Sequence, residues 1–386
     1  MNLAVVLFTL IFTTLYFLLI LYTGLRLRQS FDSIMSPFAS KVYWVLFVVL
    51  GLIYQIGRIR AGFVPKQLTD CLSVAGSYWM GALFYLFLVI AVIDFVMLAG
   101  RFVKLVPEGA SRRIWSSLVT GILVSLAVLV ICIWGIYNAS NVKTVHYDIN
   151  INKSTGGVKG VRAVMLSDLH LGVINGRGKL SGTVDLINRQ NPDIVLICGD
   201  IVDEDTAPLV EQNMKEEFKR IKSKYGTFAV LGNHDYYGGK PGVVEDELKS
   251  AGVTVLRDEV VKVSDSFYVV GRDDKGSSRV ETKRKKLADL VKGVDKSLPM
   301  IVMDHQPKSI DETKDSGADL MLSGHTHHGQ LFPNQLVTHM MYELDWGYMR
   351  KGSLQVIVTS GVGTFGPPMR TGCDSEIVDI TLNFNK

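Results

Sequence analysis

The first 142 residues of this 386-residue chain hold four long apolar stretches, and the remainder reads as an ordinary soluble domain. The chain must therefore divide into two halves with different solvents. A bilayer core requires about 20 apolar residues per helical crossing. Met1–Leu25, Cys71–Ile93 and Ile114–Val142 carry no charged side chain and are long enough. Val42–Gly57 has only 16 residues and crosses if Lys41 and Arg58 extend their charged ends to the interface. The expected spans are about 3–25, 40–57, 71–99 and 114–140. Tyr22, Tyr43, Trp44, Tyr54, Trp79, Trp115, Trp134 and Tyr137 lie near the run ends and suit a headgroup belt. The first run has no basic n-region, is too long for a usual signal core and lacks a small-x-small cleavage site, which argues against a removable signal.

Charge divides the same way. Before Asn141 there are ten Lys/Arg against four Asp/Glu, which leaves 31 basic and 33 acidic residues of the chain's 41 and 37 for the rest. The net charge of +4 belongs to the membrane flanks and gives no support for nucleic-acid binding. With four spans, the first and third connections carry seven Lys/Arg and the opposite side five. That bias favours an extracytoplasmic soluble half. Asp94 is the only acid within a run, a functional hypothesis by default, although nearby Arg101 points instead to an interfacial position. Cys71 and Cys132 lie in apolar runs, and Cys198 and Cys373 form no CxxC or zinc-ribbon spacing with them, so the redox compartment stays open.

From Val161 onward, short β-rich runs alternate with helical stretches. The expected strands are Val161–Leu166, Ile194–Cys198, Thr227–Leu231, Tyr268–Gly271, Met300–Met303, Leu320–Leu322 and Gln355–Thr359. Helical patterns cover Lys179–Arg189, Leu209–Lys224, Val244–Lys249 and Glu281–Val291. The alternation implies a layered α/β domain over 161–386, after a linker and first strand region at 143–160 and a transmembrane domain at 1–142.

Polar residues sit at the ends of these strands. Asp168 and His170 follow the first, Asp200 the second, and Asn233-His234-Asp235 the third. Later strands end in Asp304-His305 and in His325-x-His327. Ligands of open α/β sheets bind beyond the carboxyl ends of the strands. Carboxylates and imidazoles gathered there suit hard to borderline divalent ions. In Asp168-x-His170 and His325-x-His327 alternate residues of an extended segment share a face. Two ions about 3.5–4 Å apart need a carboxylate bridge, for which Asp200 is the candidate.

Taken in order, Asp168-x-His170, Gly199-Asp200, Gly232-Asn233-His234-Asp235, His305 and Gly324-His325-x-His327 resemble the calcineurin-like metallophosphoesterase superfamily. The resemblance runs from about Val161 to Leu382. It implies an α-β-β-α sandwich and a hydrolase with two divalent ions (Mn, Fe, Zn or Co, with Mn favoured). Asp168, His170 and His327 would hold one ion, and Asn233, His305 and His325 the other, with Asp200 between them. His234 would be the catalytic histidine beside the leaving group, oriented by Asp235. Hydrolysis would use a water made nucleophilic between the metals, so that no serine or cysteine nucleophile is required.

The segment Asp168–Gly172, with Gly361–Thr364 and Pro367–Arg370, looks like a branch acting on phospholipid-like or nucleotide-lipid esters. The corresponding partners are a lipid bilayer and a phosphorylated, lipid-linked small molecule. Arg370 is an expected substrate contact. His328 stands where that branch carries glycine, as a further substrate contact or an exposed histidine. The expected reaction is cleavage of a phosphodiester or pyrophosphate. A phosphomonoesterase, including a protein phosphatase, or a membrane sensor that binds without turnover are the alternatives. Phe332–Gly352, rich in Met and aromatics, reads either as an exposed apolar loop or as a packed hairpin. Lys283–Lys286 reads as a solvated basic face or a lipid-headgroup contact.

Overall fold

The computed structural model describes residues 3–58, 64–276 and 284–384. Two compact units divide the chain, one ending at Ile136 and the other beginning at Tyr137.

The first unit is helical: α1 (Leu3–Phe31), α2 (Pro37–Arg58), α3 (Lys66–Phe102), α4 (Ala110–Trp115) and α5 (Leu118–Ser140). Four stretches, Leu10–Ile34, Pro37–Gly57, Lys66–Phe102 and Leu118–Ser140, are long and apolar enough to cross a membrane. The short second run lengthens because Pro37 opens α2, where its missing N–H costs nothing and its fixed φ suits a first helical turn. Asp94 on α3 is engaged by side chains of the neighbouring helices. Its carboxylate accepts from Tyr22 Oη at 2.6 Å, Arg26 Nε at 2.8 Å and Trp115 Nε1 at 2.7 Å, which ties α1, α3 and α4 together.

The second unit begins with β1 (Lys143–Ile151), two residues after α5. β2 (Gly160–Leu166) leads to α6 (Arg177–Arg189), and β3 (Ile194–Cys198) to the short α7 (Ala207–Glu211) and α8 (Lys215–Phe218). β4 (Thr227–Val230) is followed by α9 (Asn233–Tyr237), α10 (Pro241–Ser250) and β5 (Val253–Val255). The antiparallel pair β6 (Glu259–Val263) and β7 (Phe267–Gly271) precedes α11 (Leu287–Leu290), β8 (Met300–Met303), α12 (Ile310–Ser316) and β9 (Leu320–Ser323). Then come α13 (Gln335–Met341), the hairpin β10 (Gly347–Lys351) and β11 (Leu354–Val358), and β12 (Glu376–Phe384).

The strands form two six-stranded mixed sheets, ordered β1-β12-β2-β3-β4-β5 and β10-β11-β9-β8-β7-β6. Strands β3, β4, β8, β9 and β11 are buried at every residue, which is why they read as unbroken apolar runs. Between the sheets, Met165, Leu196 and Phe228 of the first meet Phe267, Ile301 and Leu320 of the second. On the outer face of the first sheet, Val195 and Ile197 pack on Leu180, Val184 and Ile187 of α6 and on Leu248 of α10. Val302 and Met321 of the second sheet pack on Leu287 and Ile310. Each fully buried aliphatic side chain contributes roughly 1.5–3 kcal/mol. The domain is the expected four-layer α-β-β-α sandwich.

Three expectations change. The helix read over Leu209–Lys224 is broken, because Asn213 adopts φ +50° between α7 and α8 and the chain leaves helix after Phe218. Of Glu281–Val291, only Leu287–Leu290 is helical, and 281–283 lie outside the described residues, as does Lys283 of the basic run. Phe332–Gly352 satisfies both readings in turn: α13 exposes Leu336, Val337, Met340 and Met341, whereas β10 pairs with β11.

Candidate metal centre

Five strand ends, β2, β3 and β4 of one sheet and β8 and β9 of the other, deliver the polar residues to one place. Backbone bonds fix the first loops: Asp168 N donates to Gly199 O and His170 N to Asp200 O, both at 3.0 Å. Asn233 and His234 occupy the first turn of α9, where His234 N donates to Asp200 Oδ1 at 2.9 Å. The approach is close enough to demand glycine. A Cβ on Gly232 would lie 2.1 Å from Asp200 Oδ1, and one on Gly324 2.3 Å from Asp168 Oδ2. Asp168, His170, Asp200, His325 and His327 all have φ between +44° and +74°. Each such residue stores about 1–3 kcal/mol of strain, which the surrounding fold must offset.

Ligand-type atoms converge in three groups, each within 4.8 Å: Asp168 with His170 and His327, His170 with Asp203 and His234, and Asp200 with His305 and His325. His170 Nε2 faces His327 Nε2 at 3.0 Å, and His327 Nε2 lies 3.4 Å from Asp168 Oδ1. Asp200 Oδ2 stands between the groups, 3.7 Å from His170 Nε2 and 3.1 Å from His305 Nε2. Cys198 O, which can only accept, lies 2.8 Å from His305 Nδ1, so Nδ1 carries a proton and Nε2 is the atom that faces Asp200. Among the described residues, Asn233 Oδ1 and His305 Nε2 are buried without a hydrogen-bond partner. A buried orphan costs about 1–3 kcal/mol. Oxygen and imidazole atoms left unsatisfied and aimed inward are the donor set of divalent cations, so these residues fit such ions.

The electrostatics match. Burial opposes charge on Asp200, yet His305, His170 and His234 hold its carboxyl well below the usual range. Burial also opposes protonation of His305, but the Asp200 and Asp168 carboxylates draw positive charge onto it and raise its pKa well above normal. Burial, with His305 nearby, pushes His325 down to about 3, and burial with His170 and Arg370 pushes His327 well down. Both are neutral imidazoles with lone pairs to give at neutral pH.

His234 is buried against the rings of His170 at 4.7 Å and Phe365 at 4.7 Å, and burial lowers it to about 4. Asp235 does not orient it. The Asp235 carboxylate accepts from the amides of Ile201 at 3.2 Å, Val202 at 3.0 Å and Gly232 at 2.8 Å, because a residue in the first turn of a helix folds back on its own N-terminus. The carboxylate facing His234 Nδ1 is Asp203, at 3.7 Å, which also lies 3.6 Å from His170 Nδ1; Glu204 follows at 4.0 Å. Sequence reasoning missed Asp203 and Phe365. The signal for Asp203 was a second carboxylate three residues beyond Asp200; nothing marked Phe365, which Gln330 holds by two bonds of 2.9 Å to its backbone.

The two expected substrate contacts fall elsewhere. Arg370 is fully buried, and its guanidinium donates to Ser360 O at 2.7 Å, Gly363 O at 2.6 Å and Gly361 O at 3.2 Å. It holds together the loop behind His327 and meets no solvent. His328 Nδ1 lies 3.2 Å from Asp345 Oδ2 and its ring rests on Trp346 at 5.0 Å, so it is engaged within its own loop. Ser167 and Ser323 donate to Cys198 O and Asp304 O, the ordinary task of strand-end serines.

Comparison with known proteins adds to this geometry. Residues 161–329 match the family model described as calcineurin-like phosphoesterase. A transmembrane protein with metallophosphoesterase domain from Danio rerio is 33% identical over 278 residues, covering 68% of this chain and 62% of that protein. An uncharacterized metallophosphoesterase of Campylobacter jejuni is 29% identical over 355 residues, 90% of either chain. Another, from Aquifex aeolicus, is 32% identical over 239 residues, covering 61% of this chain and 90% of that protein. The chain thus spans less than two thirds of the Danio rerio protein's own length.

Proposed function

Since the chain belongs to the calcineurin-like phosphoesterase family, we propose that it is a phosphoric ester hydrolase and cleaves a phosphodiester or pyrophosphate of a lipid-linked or membrane-proximal substrate. One observation supports the location of the substrate above others. The turn carrying His327 runs on into α13, whose Leu336, Val337, Met340 and Met341 are exposed, in a domain that starts two residues after a helix able to cross a membrane. An apolar patch beside a catalytic rim is suited to an acyl chain or a bilayer surface.

In this reading Asp168, His170 and His327 hold one divalent ion and Asn233, His305 and His325 the other, with Asp200 shared. Two such ions would supply Lewis-acid activation of water and neutralise charge on the phosphoryl oxygens. His234, with Nδ1 turned to Asp203, offers Nε2 to the departing oxygen and gives it a proton from the imidazolium form, which burial disfavours and the Asp200 and Asp203 carboxylates favour. General-acid help of this kind contributes about 10²–10⁴-fold. Phe365, packed on His170 and His234, limits water around that proton.

The test is hydrolysis of bis(4-nitrophenyl) phosphate and 4-nitrophenyl phosphate by the full chain in detergent with Mn²⁺. Diester cleavage is expected, with a fall of about 10³-fold or more in Asp200→Asn, since several kcal/mol of charge stabilisation depend on that carboxylate. Cleavage of the monoester alone would move the enzyme to the phosphomonoesterases. Undiminished turnover in the variant would overturn the site.

A further inference from the structure

The last turn of α5, from Tyr137 on, belongs to the second compact unit and is capped by it. A helix leaves its last four carbonyls without intrahelical donors. Ala139 O finds two elsewhere, Lys179 Nζ at 3.2 Å and Ser375 Oγ at 3.0 Å. Lys179 stands in the first turn of α6, and its ammonium suits the negative end of the α5 dipole. One residue earlier, the buried Asn138 donates through Nδ2 to Cys373 O at 2.7 Å and to Arg370 O at 3.2 Å.

Both contacts lead on to a candidate metal ligand. Lys179 Nζ also donates to Asn175 Oδ1 at 3.2 Å, and among the described residues no carboxylate pairs with this ammonium. Asn175 is buried, and its Nδ2 donates to His170 O and Thr364 O, both at 3.0 Å. One side-chain amide thus joins the loop carrying His170 to the loop whose Phe365 packs on His170 and His234. On the other branch, Cys373 Sγ donates to His327 O at 3.1 Å, within the loop that Arg370 holds together. His170 Nε2 and His327 Nε2 are 3.0 Å apart, so two branches that part at Asn138 and Ala139 meet again at the ligands of one ion. Both run through backbone carbonyls. They fix where each ligand stands and leave the imidazoles free for the ion.

We propose that the last turn of α5 is part of the framework of the metal centre, with Asn138, Lys179 and Asn175 as positioning residues that couple this helix end to His170 and His327. The inference rests on the reading of those histidines as metal ligands. Coupling of this kind is reciprocal: whatever shifts the helix end changes ion affinity, and a bound ion fixes the helix end in turn. It gives the state of a helix long and apolar enough to cross a membrane a route to the ions.

Calorimetric titration of the metal-free full chain in detergent with Mn²⁺ tests this without requiring turnover. Lys179→Met and Asn138→Leu should each weaken binding at one of the two ion positions by about tenfold or more, the usual scale when a group that orients a ligand loses its partner. Arg162→Met is the control. It breaks the pair with Asp379, at 2.9 and 2.7 Å, near the opposite end of β2, and should lower the thermal midpoint while leaving Mn²⁺ affinity unchanged. In the unsubstituted chain, Mn²⁺ should slow amide hydrogen exchange at Asn141, whose N–H donates to Tyr137 O at 3.1 Å. That measurement needs no substitution, so it decides the matter even if a variant fails to fold. Affinities equal to the parent's in both variants, an equal loss in Arg162→Met, or exchange at Asn141 indifferent to Mn²⁺ overturns the coupling. A parent chain that binds no Mn²⁺ overturns the reading of the centre itself, and the coupling with it.

Discussion

The molecule contains a half-buried cluster of polar side chains around Asp94 and a buried one around Asp200, and they behave in opposite ways. Around Asp94 every group is answered: the phenol of Tyr22, the guanidinium of Arg26 and the indole of Trp115 all donate to it, and the arginine also lies over both rings at 5.9 and 5.6 Å. Around Asp200 the reverse holds. Imidazole nitrogens face one another, Asn233 Oδ1 and His305 Nε2 are buried without partners, and five residues carry strained backbone. A polar cluster that closes on itself is a means of holding helices together. One that leaves lone pairs converging on a common point, at the expense of stability, is organised around something it must bind. The difference lies in what is left unsatisfied, since both clusters contain an ionisable residue where few are tolerated.

The comparison is sharpest within the catalytic rim, at two carboxylates near His234, one its neighbour in sequence and the other its neighbour in space. Asp235 is satisfied by three amides, whereas Asp203 points between His170 and His234. Asp203→Asn should therefore lower kcat about 10–100-fold with KM little changed, the usual loss when a partner that orients a functional histidine is removed. The limb of the pH–rate profile assigned to His234 should move to lower pH, because the Asp203 charge favours the protonated ring. Asp203→Glu should recover part of the rate. Asp235→Asn should act on stability instead and lower the thermal midpoint, since one of the two accepting oxygens becomes an NH2 group and leaves at least one buried amide without an acceptor. The reverse pattern, with activity following Asp235 and stability following Asp203, would restore the pairing expected from the adjacency of His234 and Asp235.

On the membrane side, Asp94→Asn keeps a hydrogen-bonding side chain against Tyr22 and Trp115 but removes the charge opposite Arg26. A loss of about 1–2 kcal/mol in the helical unit is expected, near the upper end for interhelical polar contacts. It would appear as a lower midpoint in detergent, while hydrolysis per folded molecule stays the same. A loss of turnover at unchanged midpoint would make Asp94 part of function and erase the contrast between the two clusters.

Much of the rim could be read in advance because its signals are local. Asp168, Asp200, His305 and His325 each follow a strand whose every residue or nearly so is buried, so the apolar run and its polar end stand out together. β1 could be placed only as a strand region somewhere within 143–160, because Lys143–Ile151 is half exposed and its partner β12 lies more than two hundred residues away, which no local period reports. The break between α7 and α8 rests on a positive φ at Asn213, inside a pattern otherwise fit for one helix. Asp203 was missed and Asp235 misread for a common reason. Sequence adjacency fixes where a Cα goes, whereas the direction of a short carboxylate depends on which amides or rings the fold presents to it.

His328 offers the smallest test of how far that lesson extends. It sits at φ +44°, ψ 44°, a left-handed conformation that glycine adopts freely and that costs another residue about 1 kcal/mol. His328→Gly would recover that strain. It would lose the Asp345 contact at 3.2 Å and the ring contact with Trp346, each worth up to about 1 kcal/mol at a half-buried site. Glycine also adds freedom to the unfolded chain, at a further cost of about 0.5–1 kcal/mol. The terms nearly cancel, with a slight loss: the midpoint should fall by the equivalent of no more than about 1 kcal/mol, and kcat should stay within about twofold because the ring is engaged with Asp345 and Trp346. A fall in kcat/KM of about tenfold or more at an unchanged midpoint would show that the histidine reaches substrate. In that case the Asp345–Trp346 contact would be a resting position of a side chain that belongs to the catalytic cluster.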